Sequence, residues 1–168
     1  MQDRVPAEET YILKRRHTGA IYVCMDLIEI AARIEIPADC YDLPDLTLAL
    51  DASSDVVVWV NDVYSLAKER ALGEVHNLVY VVQHHRGITE RAALEVVRDM
   101  TAERTDDFLA AESRLLRDHP AGHRWLHPVL AGMRTWMRGN LDWSQRTQRY
   151  TETPAGGYLE PTLMESGR

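Results

Sequence analysis

The chain of 168 residues is 45% hydrophobic and 27% charged, ordinary proportions for one soluble globular domain with a real core. A formal net charge of −7 supplies no basic stripe to displace counterions, which argues against nonspecific nucleic-acid binding. Two cysteines, Cys24 and Cys40, cannot build a disulfide framework, no apolar run is long enough for a membrane span, and Met1-Gln2-Asp3-Arg4 does not open a signal peptide, so a cytoplasmic location is expected.

Pro6 followed by Ala7-Glu8-Glu9 predicts a helix start, with proline in the first turn and acids at the positive end of the dipole. This helix should run to about His17. Apolar residues resume from Ile21 to Ile34, and Gly19 between the two stretches reads as a simple C-cap. Pro37 and Pro44 bracket a polar connection. From about Leu46 to Glu69 there is room for a long helix whose cluster Val56, Val57, Trp59, Val60 and Val63 implies burial on most sides. The β-branched run also fits a strand, but its flanking alanines, leucines and acids favour a helix, with Gly73 as its exit.

Val75, Leu78, Val79 and Val82 follow the spacing of an amphipathic helix ending near Gly87. Thr89 can cap the next helix, which carries Ala92, Val96, Val97, Met100, Phe108 and Leu109 and stops before Pro120 and Gly122. A last long helix should start near Trp125 and turn Leu126, Val129, Leu130, Met133, Met137 and Leu141 inward. The whole predicts an all-α array over residues 1–150 and a loose tail over 151–168, where Pro154, Gly156 and Gly157 break the periodicity.

Within the long central helix, Asn61, Ser65 and Glu69 stand four residues apart. Each step advances about 6 Å along the axis and drifts about 40° around it, so the three side chains share one stripe. An amide oxygen, a hydroxyl and a carboxylate suit Mg²⁺ better than Zn²⁺, which asks for His or Cys. Lys68 adds a positive charge beside any bound phosphate, whereas Asp62 lies about 100° from the stripe and is not expected to be a ligand. The alternative reading is a solvated polar stripe. His84-His85 at a helix end reads as favourable dipole charge, since no third metal ligand stands nearby. No phosphate-binding glycine loop and no Gly-x-Ser-x-Gly elbow is present.

The segment Asn61 to Glu69 resembles the second metal motif of bacterial class I terpene synthases. Two more elements of that family occur in order: Arg15-Arg16-His17-Thr18-Gly19, with Arg15 46 residues before Asn61, and Arg149-Tyr150. The resemblance runs over about residues 8 to 150 and implies the helical bundle of that family. It assigns Asn61, Ser65 and Glu69 to Mg²⁺, and Arg15, Lys68, Arg149 and Tyr150 to the substrate diphosphate. It also matches Thr18 and Gly19 to a helix break whose backbone carbonyl faces the substrate. Arg15 and Arg16 compete for the sensor role, and spacing favours Arg15; the other is expected to form a surface ion pair. Trp143 is expected to line the hydrocarbon pocket by its place before the Arg-Tyr pair, although each of Trp59, Trp125, Trp136 and Trp143 also reads as plain core.

The implied activity is ionisation and cyclisation of a linear isoprenoid diphosphate, farnesyl diphosphate foremost, with release of diphosphate. The resemblance covers only the later half of a typical member. The aspartate-rich motif of the family is missing: Asp106-Asp107 meets Ala110 where a third aspartate is needed, and reads as a solvated helix face. A second expectation therefore stands beside autonomous catalysis: a truncated or split chain, inactive alone, that exposes apolar faces and either self-associates or needs an N-terminal-half partner.

Overall fold

A computed structural model describes residues 5–150, and the expected tail 151–168 lies outside them. Six α-helices follow one another: α1 (Glu8–Thr18), α2 (Ile21–Ala32), α3 (Pro44–Ala71), α4 (Leu78–Arg86), α5 (Glu90–Asp118) and α6 (His123–Arg146), with a closing 3₁₀ turn at Gln148–Tyr150. No strand occurs among the described residues.

The third helix is the axis of the structure and packs against all five others. Residues 52 to 59 are buried without interruption, so this helix has no solvent face there and its β-branched run fills the core as a helix. Pro44 occupies its first turn, where a missing N–H costs nothing, and Asp45 sits at the positive end of the dipole. Its other end is closed by Gly73 at φ 72°.

Helix α5 runs antiparallel to α3. Arg114 donates to Asp45, Arg104 to Asp55, and Arg70 pairs with Glu90, so residue numbers fall along α5 as they rise along α3. Phe108, Ala111 and Leu115 of α5, Leu78, Val79, Val81 and Val82 of α4, and Leu126, Val129, Leu130 and Met133 of α6 complete the core. Glu112 on α5 pairs with Arg134 on α6. Met137 and Leu141 are only partly buried.

Three boundaries differ from the sequence expectation for identifiable reasons. Asn77 caps α4 by accepting from the Val79 N–H, so the helix begins after it and Val75 lies outside. The helix α6 opens at His123 and carries Pro128 in its interior. At the α1–α2 junction the left-handed residue is Ala20, with φ 55°, whereas Gly19 has φ −76°. Gly19 is needed for closeness instead: a Cβ there would stand 2.7 Å from Cγ1 of Val58 and 3.1 Å from the Arg15 carbonyl oxygen. The α1–α2 turn thus rests directly on α3, one helical turn before Asn61.

A candidate metal and diphosphate site on the central helix

Asn61, Ser65 and Glu69 occupy successive turns of α3. The amide Oδ1 of Asn61 accepts from Arg15 Nη2 at 3.1 Å, and its Nδ2 donates to the Tyr150 hydroxyl at 2.7 Å. Glu69 Oε2 accepts from Nδ2 of Asn77 at 2.9 Å. Between them Ser65 is 1% exposed, and its hydroxyl has no hydrogen-bond partner among the described residues. A buried serine in a helix ordinarily bonds a carbonyl one turn back. An orphaned hydroxyl flanked by an amide oxygen and a carboxylate is a donor set that fits a hard divalent cation. The described residues contain no cluster of three His, Cys, Asp or Glu side chains, so no carboxylate-rich or thiolate site competes with it.

A cavity of about 550 Å³ adjoins this stripe, and Arg15, Gly19, Asn61, Lys68, Glu69 and Arg149 all line it. The cationic side chains arrive from α1, α3 and the segment after α6. Tyr150, tied to Asn61, also meets Trp143 edge to face at 5.8 Å between ring centres. Burial holds the Tyr150 phenol above its ordinary pKa, which keeps it a proton-bearing donor.

What fixes Arg15 is Asp62, the neighbour that helix geometry had turned away from the stripe. Its carboxylate is fully buried and accepts from Nε and Nη2 of Arg15 at 3.0 and 2.8 Å, from the Tyr11 hydroxyl at 2.7 Å and from the Leu78 N–H at 3.0 Å. Burial disfavours the Arg15 charge, but Asp62 outweighs it and holds the guanidinium pKa above its usual value. Arg16 is not the surface ion pair expected from sequence. It is 13% exposed and binds Asp51 at 2.6 Å and Asp55 at 2.7 and 2.8 Å, and Arg104 shares Asp55. Consecutive helical residues diverge by about 100°, so only one of the two arginines can reach Asn61.

Next to the polar cavity lies an apolar one of about 790 Å³ between α2 and α6, lined by Leu27, Ile28, Trp136, Asn140 and Trp143 among others. Trp143 therefore lines a cavity, with 46% of its surface exposed, and so does Trp136, which borders both cavities. Trp59, by contrast, is core at 3% exposure. Sequence reasoning missed Trp136, Asn140 and Asn77. Asn77 was discoverable as an N-cap preceding Leu78-Val79, but the other two carried no local signal. Along α2, Val23, Leu27 and Ile30 form an exposed apolar row. Asp106 and Asp107 are exposed on α5, Asp107 pairing with Arg104, in keeping with a solvated face. His85 Nε2 lies 2.8 Å from the Pro6 carbonyl oxygen and joins α4 to the start of α1.

The chain is similar in sequence and fold to known terpene synthases. The family model for terpene synthase family 2, C-terminal metal binding, matches residues 1–107. Sesquiterpene synthase Agr1 of Cyclocybe aegerita is 32% identical over 146 residues, 87% of this chain and 42% of that protein. A 4-epi-cubebol synthase of Streptosporangium roseum, described as (2E,6E)-farnesyl diphosphate cyclizing, is 33% identical over 149 residues, 88% of this chain and 44% of that protein. Among solved structures, 2-methylisoborneol synthase from Streptomyces coelicolor A3(2), in complex with Mg²⁺ and geranyl-S-thiolodiphosphate, superposes with a TM-score of 0.81 at 27% identity, covering 92% of this chain and 48% of that one. The chain spans less than half the length of these relatives. On the match to the metal-binding model over more than half its residues, and with helical neighbours of the same kind, the chain belongs to terpene synthase family 2.

Proposed function

We propose that this chain binds the diphosphate of a linear isoprenoid substrate through Mg²⁺ and fixed cationic groups, and promotes its ionisation and cyclisation. The observation that carries the reading is the convergence of Asn61, Glu69, Arg15, Lys68 and Arg149 on one cavity, with the orphaned Ser65 hydroxyl between the two flanking oxygens. Asn61, Ser65 and Glu69 would hold Mg²⁺, and the bound ion would supply positive charge to neutralise the departing diphosphate. Arg15, aligned by Asp62, and Arg149 with Lys68 donate charge-assisted hydrogen bonds to the phosphate oxygens, and Tyr150 adds a neutral donor. In the ionising step the allylic carbon–oxygen bond breaks, its electron pair leaves with diphosphate, and an allylic cation remains. The adjoining apolar cavity, with Trp136 and Trp143, accepts the hydrocarbon and steadies that cation through ring faces. The carbonyl of the Gly19 turn is the effector dipole of this reading.

Farnesyl diphosphate is the proposed substrate, supported by the sesquiterpene synthases among the relatives and by the named substrate of the 4-epi-cubebol synthase. Incubating the purified chain with Mg²⁺ and farnesyl diphosphate, and separately with the geranyl and geranylgeranyl esters, tests it by gas chromatography of extracted hydrocarbons. The expected result is a cyclic product from farnesyl diphosphate that disappears in Glu69→Gln. Undiminished product from that variant overturns the metal assignment.

One observation favours a second reading. The exposed row Val23, Leu27 and Ile30, together with the open apolar cavity, is a surface that a further helical layer can cover. On that reading the chain turns over only with a separate polypeptide that carries an aspartate-rich motif. Product that appears only when the two are mixed establishes it, and full activity from the chain alone excludes it.

A further inference from the structure

Asn77 is 1% exposed and uses every polar atom of its side chain. Its Oδ1 accepts from the Val79 N–H at 2.9 Å, capping α4. Its Nδ2 donates to the Asp62 carbonyl oxygen at 2.6 Å and to Glu69 Oε2 at 2.9 Å. Because the α4 cap demands an acceptor and the other two partners demand donors, the amide has one permitted orientation and a flip would break all three bonds. Helix capping accounts for the oxygen alone. The two donor contacts reach back to α3, one to its backbone beside the Arg15 anchor and one to a carboxylate that lines the polar cavity.

We infer that Asn77 is a positioning residue for the metal site: its Nδ2 holds one oxygen of Glu69 so that the other faces the cavity. This rests on the assignment of Asn61, Ser65 and Glu69 proposed above. The chemistry is selective. A neutral amide fixes the carboxylate without cancelling its charge, whereas a lysine or arginine in the same place would compete with the cation for it. The same side chain locks the carbonyl of Asp62, so α4, the Arg15 anchor and the metal-facing carboxylate form one unit. A partner that orients a ligand in this way ordinarily contributes roughly 10- to 100-fold to metal affinity.

The test measures Mn²⁺ binding to the whole chain in the presence of inorganic diphosphate, by electron paramagnetic resonance of the free ion, at a temperature where circular dichroism shows each variant folded. Asn77→Ser keeps an oxygen for the α4 cap but is too short to reach Glu69, and Asn77→Asp keeps the cap while losing both donors. Both are expected to weaken Mn²⁺ about 10-fold or more. Thr89→Ala, which removes the cap of α5, is expected to lower Tm and leave Mn²⁺ affinity unchanged. Adding Asn77→Ser to Glu69→Gln should cause no further loss. If both Asn77 variants bind Mn²⁺ as the unaltered chain does while Glu69→Gln does not, Asn77 is only a cap and the inference is overturned. If Glu69→Gln also binds normally, or the unaltered chain binds no Mn²⁺, the site assignment itself fails.

Discussion

Replacing Gly19 by alanine isolates the contact that seats the α1–α2 turn on the central helix. The backbone at Gly19, φ −76° and ψ −3°, is open to alanine, so the substitution reduces the freedom of the unfolded chain and by itself would stabilise by about 0.4–1 kcal/mol. Against this, the added Cβ would lie 2.7 Å from Val58 Cγ1, 3.1 Å from the Arg15 carbonyl oxygen and 3.3 Å from Ile21 Cγ1. Val58 is 2% exposed in a packed core, and the carbonyl is backbone, so neither retreats cheaply. Overpacking of this kind costs about 1–3 kcal/mol, which leaves a net loss of up to about 2.6 kcal/mol, or up to about 10 °C in Tm for a domain of this size. Urea titration of Gly19→Ala, Val58→Ala and the double variant gives the decisive number. Val58→Ala alone should cost about 2 kcal/mol, but in the double variant the methyl that clashes is gone, so the combined loss should fall short of the sum by about 1 kcal/mol. A Gly19→Ala chain more stable than the original, or strictly additive losses, would refute the claim that closeness rather than backbone freedom requires glycine here.

Three further outcomes are expected. Asp62→Asn should cost about 3–5 kcal/mol in a urea titration, because it removes the charge facing a largely buried Arg15; a loss under 1 kcal/mol would show that the four contacts around the carboxylate are dispensable. Asp55→Asn, which removes the buried carboxylate that Arg16 and Arg104 share and leaves them only Asp51 and Asp107, should cost about 3 kcal/mol, whereas Asp107→Asn at a half-exposed site should cost less than about 1 kcal/mol; similar values for the two would contradict the burial argument. Stripping divalent metal with a chelator should abolish turnover while leaving the helical dichroism and Tm in place, since apolar packing holds the described core; unfolding on chelation would mean that the ion is structural.

The helices were legible because each carries its own punctuation. Pro44, Gly73, Thr89 and Gly87 mark ends through local backbone chemistry, and Leu126, Val129, Leu130 and Met133 repeat at helical spacing. The stripe of Asn61, Ser65 and Glu69 was legible for the same reason, since a four-residue spacing on one helix is a local property. Whatever depended on distant segments was not. That Asp62 serves Arg15 requires α1 and α3 to lie side by side, 47 residues apart in the chain, and only packing brings them there. Arg16 likewise reads as a surface group until Asp51 and Asp55 are seen beneath it. Trp136 resembles any amphipathic tryptophan until Gly132, one turn away, lets α6 approach Ile28 of α2 closely enough to leave a cavity beside it.

The buried aspartates explain why this arrangement holds its shape. A row of cationic side chains around one cavity repels itself, and each guanidinium must lose water to sit there. The fold constrains Arg15 with three donor contacts to Asp62 and Asn61 at 2.8 to 3.1 Å. The same side chain lines the cavity, so its position there is set without a search through rotamers. Asp62 in turn is fixed by Tyr11 from α1 and by the first N–H of α4, whose positive end favours the carboxylate. The anchor therefore ties α1, α3 and α4 together before any ligand arrives. Under the proposed function, a diphosphate entering this cavity would meet an arginine already oriented, which is the condition under which charge stabilisation lowers a barrier rather than being spent on reorganisation.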